Sequence, residues 1–336
     1  MMVKTKMRWI IGLAAGATLL SSTLTAVGVA QATTKHKHYT VAYMSYGVAN
    51  SYDAPMLAAA KAVAAADGVR VVVFDSQSSY TTQVSQLQDV VNSGQYQGIL
   101  VQPIYGAALL PTVKLAIKKK IKVVNIDQIL GTNYASDQIE VHGLSGNVVF
   151  FPSKIGSQLA TLANQACAGA NPCDIALIHN YIGDEPDSAI TTAFDATLAK
   201  DPNDSIVASA DGLYEPSVSL TQVQDILTAH PSINVIVGAD QNCEGASSAL
   251  AAVKNTTTQL VCYGASAAGV VALKSGAWFA DVAQMPATEG ELGMIALVKA
   301  LKTGKGSGSE NPVAKLPDNG ILTKANVNTF TAEWPG

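Results

Sequence analysis

The sequence predicts an α/β protein of two Rossmann-like lobes with parallel sheets, joined by a hinge. Three observations predict it. Short β-branched apolar runs alternate with helical patterns in two successive sets. Within each set the strand starts lie about 23 to 31 residues apart, one βα unit each. Nearly every run ends on a polar residue, where open α/β sheets form their ligand crevice.

The first set of strands is expected at residues 40–45, 70–74, 98–102 and 121–126, with helices at 53–66, 81–93 and 107–119. In the second helix Val84, Leu87, Val90 and Val91 recur at the spacing of one buried face. Lys118, Lys119 and Lys120 close the third, a solvated positive end that complements the helix dipole. The second set places strands at 174–178, 205–208, 234–238 and 259–263. Its helices fall at 187–200, 218–229, 243–254 and 267–275. A further strand at 279–284, an apolar helix at 288–301 and a Gly/Ser-rich loop at 303–311 follow.

The stretch 121–128, I-K-V-V-N-I-D-Q, reads as a fully buried parallel strand ending on a carboxylate, Asp127. The other strand ends present Ser45 and Tyr46, Asp75, Gln102, Asn180, Asp211, Asp240 and Gly264. Gly264 apart, these are polar, and none is a cation. Carboxylates and amides suit a hydroxyl-rich ligand, and Tyr46, Tyr52, Tyr105 and Tyr214 offer aromatic faces from the adjoining loops. Asp75 and Asp211 are assigned to loop capping.

Lys4, Lys6 and Arg8, an apolar run at 9–20 and the small-residue site Ala30-Gln31-Ala32 have the layout of a secretory signal peptide over residues 1–32. The run is short for a membrane span, and no cysteine for a lipid anchor lies near the cleavage site. The sequence therefore predicts an exported protein, periplasmic or extracellular and associated with the cell envelope. Without those three basic residues the formal net charge falls from -4 to about -7, so a nucleic-acid partner is not expected. Past the signal peptide Arg70 is the sole arginine, and it precedes a strand, so no arginine clamp for a carboxylate or phosphate is expected. Export permits disulfides. Cys167 and Cys173 are close enough to staple a helix end to the next strand, which leaves Cys243 with Cys262. The cysteines lack the paired spacing and nearby histidines of a metal site. His36 and His38 are read as part of a solvated terminus.

Enzyme signatures are missing. No G-x-G-x-x-G follows the first strand and no P-loop occurs. The G-A-S-A-A-G at 264–269 misses the nucleophile elbow by one residue, and His142, His179 and His230 are scattered, His230 in a helix-capping context. Neither catalysis nor a cofactor nor a metal is expected.

Specific stretches carry a resemblance: A-N-S-Y-D at 49–53, F-D-S-Q at 74–77, I-L-V-Q-P at 99–103, V-V-N-I-D at 123–127, I-L-T-A-H-P at 226–231 and V-A-Q-M-P at 282–286. Over residues 40–330 the chain resembles the periplasmic ribose-binding proteins, type I sugar-binding components of bacterial ABC transporters. The resemblance implies the periplasmic binding protein type I fold, a monomer whose interlobe cleft closes on a small sugar or polyol. It implies delivery to an ABC permease and its ATPase. It places the first lobe at 39–141 plus 285–313 and the second at 142–284 plus 314–330. It puts Asn50, Tyr52, Asp53, Gln102, Asp127, Gln128, Tyr214, Asp240 and Gln284 at the ligand. Where ribose binders carry arginines this chain has Gln128 and, near the second position, Ile190; Gly264 replaces an aspartate and Asp53 an aromatic. Ribose itself is therefore not expected. Alternative readings are a receptor for an amine-bearing or other cationic ligand, a sensory module for a chemoreceptor or kinase, and an exported hydrolase. A DNA-binding regulator with the same lobes is disfavoured, because the export signal stands where its helix-turn-helix would be.

Overall fold

The run Thr40–Ser45 (β1) is buried along five of its six residues, as a strand covered on both faces by helices must be. The computed structural model describes residues 38–182 and 184–336, so the signal-peptide segment and His36 lie outside the described residues. After β1 come Asp53–Ala66 (α1), Arg70–Asp75 (β2), Tyr80–Ser93 (α2), Gly98–Val101 (β3), Gly106–Lys118 (α3), Lys122–Asp127 (β4) and Gly146–Val149 (β5). Then follow Pro152–Cys167 (α4), Cys173–His179 (β6), Glu185–Leu198 (α5), Asp204–Asp211 (β7), Pro216–Ala229 (α6), Val235–Ala239 (β8), Asp240–Ala252 (α7), Gln259–Gly264 (β9), Ala267–Ser275 (α8) and Ala280–Ala283 (β10). Pro286–Thr303 (α9), Ser309–Glu310 (β11) and Ile321–Thr323 (β12) complete the chain.

Two six-stranded sheets result, ordered β11-β5-β4-β3-β1-β2 and β12-β10-β9-β8-β6-β7. The five long strands of each follow the same spatial sequence, so the two halves repeat one βα design. All pairings are parallel except β12 against β10. Each sheet has an apolar cluster on both faces. One is built around Tyr43, Met56 and Leu297, one around Leu87, Ile99 and Leu109, and two matching ones lie in the second half. Crossing helices approach closely at glycines in both halves. A Cβ on Gly290 would meet the Met56 carbonyl at 2.0 Å, and one on Gly156 the Ile190 carbonyl at 2.1 Å. Ile190, near which the resemblance placed an arginine, is a core residue.

The chain passes between the sheets after β5, after β10 and between β11 and β12. The expected boundary at 141/142 falls ahead of β5. Gly-Asn-Val-Val at 146–149 is a short, half-polar run without a strand's alternation, yet it pairs with β4 and belongs to the first sheet. The loop expected at 303–311 likewise contains β11, a two-residue edge strand on β5. The Lys119 ammonium donates to the Val91 carbonyl at 3.0 Å, capping the end of α2, and His230 is the C-cap of α6. Both disulfides form, Cys167–Cys173 and Cys243–Cys262, with Cα separations of 5.8 and 6.3 Å. No described helix is long and apolar enough to cross a membrane.

Candidate functional site

The carboxyl ends of β1, β3 and β4 from one sheet and of β8, β9 and β10 from the other open into a shared cavity of about 160 Å³. Its first-sheet wall starts with Asn50, whose Oδ1 accepts from the Tyr52 backbone N–H at 2.7 Å and sets up the start of α1. Tyr52 then precedes the helix, and Asp53 is its first residue. At the end of β4, Asp127 sits at φ +66°, with the Gln128 N–H closing a turn onto the Ile126 carbonyl at 2.9 Å. Aspartate tolerates that left-handed conformation better than most residues, and it ends the strand with the carboxylate buried. Leu213 and Tyr214, on the opposite wall, are also left-handed, at φ +58° and +56°. Such strain concentrates at ligand sites.

Gln102 organises the first wall. Its Oε1 accepts from the Tyr46 N–H at 3.1 Å, while its Nε2 donates to Asp53 Oδ1 at 2.5 Å and to Asp127 Oδ2 at 3.0 Å. Tyr52 adds its hydroxyl to Asp127 Oδ1 at 3.3 Å. Behind them Glu289 of α9 is fully buried, within hydrogen-bonding reach of Asp127. Burial, partly opposed by Gln102 and reinforced by the Asp127 charge, pushes Asp53 up to about 8. Burial raises Asp127 to about 6 against the hydrogen bonds from Gln102, Tyr52 and Glu289. Glu289 lies well above the usual range, through burial and then the Asp127 charge, so it holds the proton of that pair.

The second wall is aromatic. Tyr214 and Tyr263 share a hydroxyl–hydroxyl hydrogen bond. Asn180 donates to the Tyr263 hydroxyl and accepts from Asn242 at 3.0 Å, so it orients Tyr263 rather than facing the cavity. Tyr181, tilted against Tyr214 with ring centroids 6.0 Å apart, continues the wall. Trp334, from the C-terminal tail, closes it. Its Nε1 donates to the Gly264 carbonyl at 2.8 Å and its ring meets Tyr52 edge-on at 5.4 Å. Asp184 at the rim is raised to about 6 by burial.

Of the residues expected at the ligand, Asn50, Tyr52, Asp53, Gln102, Asp127, Gln128, Tyr214 and Gln284 line this cavity. Asp240 does not. As the first residue of α7 it points beneath the sheet end, where its Oδ2 accepts from the Ser266 N–H at 2.6 Å beside a second buried acid, Asp281. The next residue, Gln241, lines the cavity instead, because consecutive helix positions point about 100° apart. Tyr105 also lies elsewhere, its ring against Tyr80 on the surface. Asp75 and Asp211 cap loops, accepting from the Gln77 and Ile182 N–H groups at 3.1 and 2.7 Å. Phe150, Tyr181, Asp184, Tyr263 and Trp334 were not anticipated. Tyr181 and Asp184 follow a strand closely enough for its end to have flagged them, whereas Trp334 lies beyond the last expected element.

Two sheets that turn their strand ends toward one buried, polar and aromatic cavity define a bilobed small-molecule receptor. The comparisons are specific about the family. Residues 41–306 match the periplasmic binding protein domain, and this chain belongs to that family. The ribose import binding protein of Haemophilus influenzae is 26% identical over 257 residues, covering 74% of this chain and 79% of its own. The D-allose-binding periplasmic protein of Escherichia coli is 27% identical over 269 residues, covering 76% and 83%. A periplasmic solute-binding protein of Actinobacillus succinogenes, solved with bound D-allose, shares the fold with a TM-score of 0.74 at 19% identity, covering 87% of this chain and 100% of that one.

Proposed function

We propose that this chain is an exported solute receptor that captures a small sugar or polyol between its lobes and delivers it to an ABC import permease. The carrying observation is the cavity itself, about 160 Å³ in volume and walled from both sheets by convergent amides, carboxylates and tyrosine rings. The relatives support the class of solute, since they are named for ribose and D-allose. In this reading Asn50, Gln102, Asp127, Gln128, Gln241 and Gln284 exchange hydrogen bonds with ligand hydroxyls. Tyr52, Tyr214 and Trp334 cover its C–H faces. The receptor acts as a monomer and performs no chemistry on its ligand.

The lobes of this reading are residues 38–149 with 286–310 and residues 150–285 with 311–336, which close about the three crossovers. Arginine is absent from the described lining, and Arg70 stands exposed at the start of β2, which agrees with a ligand other than ribose. Thermal-shift screening against pentoses, hexoses and polyols tests the proposal. At least one compound should raise the midpoint by several degrees at millimolar concentration, because binding to the folded state stabilises it by mass action. A flat response across the panel would sink it.

A further inference from the structure

The charge around the cavity is one-sided. Asp53, Asp127, Asp184 and Glu215 line it, and among the described residues no lysine, arginine or histidine does. Asp53 and Asp127 are 4% and 2% exposed, so water screens them weakly. The donors that reach them from side chains are the Gln102 amide, the Tyr52 hydroxyl and the carboxyl proton of Glu289. Immediately behind, both Glu289 carboxyl oxygens lack any N–H or O–H partner, although the residue is fully buried. Acceptors therefore outnumber donors at this end. A neutral hydroxyl brings one donor together with more acceptors, whereas an ammonium brings three donors, no acceptor and the missing charge.

The aromatic walls point the same way. Tyr52 is in edge contact with Trp334 and hydrogen-bonded to Asp127, and Tyr46, Tyr214 and Tyr263 line the same cavity. Such faces attract cations, more so in a site shielded from water. Carboxylates buried without a cation are costly, which is why burial keeps Asp53 and Glu289 protonated; an ammonium would take the place of the Asp53 proton and offset part of that cost. Resting on the receptor reading above, we propose that the physiological ligand is an amine-bearing sugar or polyol whose ammonium binds between Asp53 and Asp127, with its carbon skeleton against the tyrosines and Trp334.

Titration calorimetry at pH 7 on the full mature protein tests this with matched ligands. D-glucosamine, D-galactosamine and 1-amino-1-deoxy-D-ribitol are compared with D-glucose, D-galactose and ribitol, and with the N-acetylated amines. At least one amine should bind about tenfold or more tighter than both its neutral parent and its N-acetyl form. The Asp53→Asn, Asp127→Asn double variant should narrow that preference to about twofold. Neutral parents that bind as tightly as the amines would overturn the inference and leave the receptor reading standing, as would a preference that persists in the double variant. Binding by neither series would overturn both.

Discussion

The indole of Trp334 occupies the space that a side chain at position 264 would need. A Cβ on Gly264 would lie 2.7 Å from Trp334 Cζ2 and 2.9 Å from Asp240 Cγ, at a φ of +141° that other residues rarely adopt. Glycine at the end of β9 and tryptophan in the tail are thus one device, which sets an aromatic wall at that strand end. The neighbouring Glu333 fixes the tail to the other sheet's side, accepting from the Thr288 N–H at the start of α9 at 2.9 Å.

Trp334→Ala should therefore affect both folding and binding. The ring is 4% exposed, and truncating a buried large aromatic costs about 3–5 kcal/mol. Ligand affinity should drop with it, while Trp334→Phe keeps most of both. Gly264→Asp should resemble Trp334→Ala, because the new side chain must expel the ring. Urea denaturation and calorimetry on the same preparations measure the two effects, and a Gly264→Asp protein with wild-type affinity would contradict the coupling.

Gln102→Leu should abolish measurable binding without unfolding the protein. The amide is the bridge that holds Asp53 and Asp127 in register, and leucine leaves two buried acids without their principal donor, at about 1–3 kcal/mol for each lost partner. The stability loss read by denaturation should fall in that range. Retained affinity would show that the acids are positioned by something else.

Stability should fall as pH rises through neutrality. Asp53 faces Gln102 and Tyr46 from the β3 and β1 side, Asp127 from β4, Asp75 from β2, Glu289 from α9 and the Tyr43 and Tyr52 hydroxyls. Its folded pKa of about 8 lies above the ordinary 3.8, so between those values the folded state binds more protons than the unfolded chain. This contribution is fully present below about pH 4 and is lost progressively up to about pH 8. Asp53→Asn should remove the decline and gain on the order of a few kcal/mol at pH 8. Denaturation midpoints measured from pH 5 to 8 decide it; parallel slopes for the two proteins would refute the assignment.

How much of this the sequence disclosed depends on the kind of signal each residue gives. Asp127 and Gln102 were legible because a buried strand announces its carboxyl end by a change from β-branched to polar. β5 was not, because four residues with Gly and Asn carry too little pattern to distinguish a strand from a loop. The exchange of Asp240 for Gln241 shows that reading the first turn of a helix from the strand before it leaves the rotation undetermined. Tyr263 lies within β9, one residue before the glycine taken as its end. Trp334 has no local signal, since it reaches the cleft through tertiary contacts made by a tail without regular structure.

Asp240→Asn should leave ligand affinity unchanged within about twofold, because its carboxyl serves the backbone of Ala265 and Ser266 together with Asp281 rather than the cavity. Asp281, fully buried and raised well above the usual range by burial and by the Asp240 charge, carries the proton between them. Asp281→Asn supplies a permanent donor in its place, so the midpoint at pH 7 should hold or rise. A large loss of binding in Asp240→Asn would return that residue to the site.

Both disulfides lie in the same half of the molecule, one tying α4 to β6 and the other α7 to β9. Loop-closure arguments assign about 3 kcal/mol to the longer loop and about 2 kcal/mol to the shorter. The half that carries the acid cluster has no such cross-link among its described residues. The two jaws are therefore unequal in durability. Under heat or denaturant the cross-links favour the aromatic jaw over the acidic one. A reducing environment would bring the two closer to parity, so the oxidised and reduced chains differ in how unequally the halves give way.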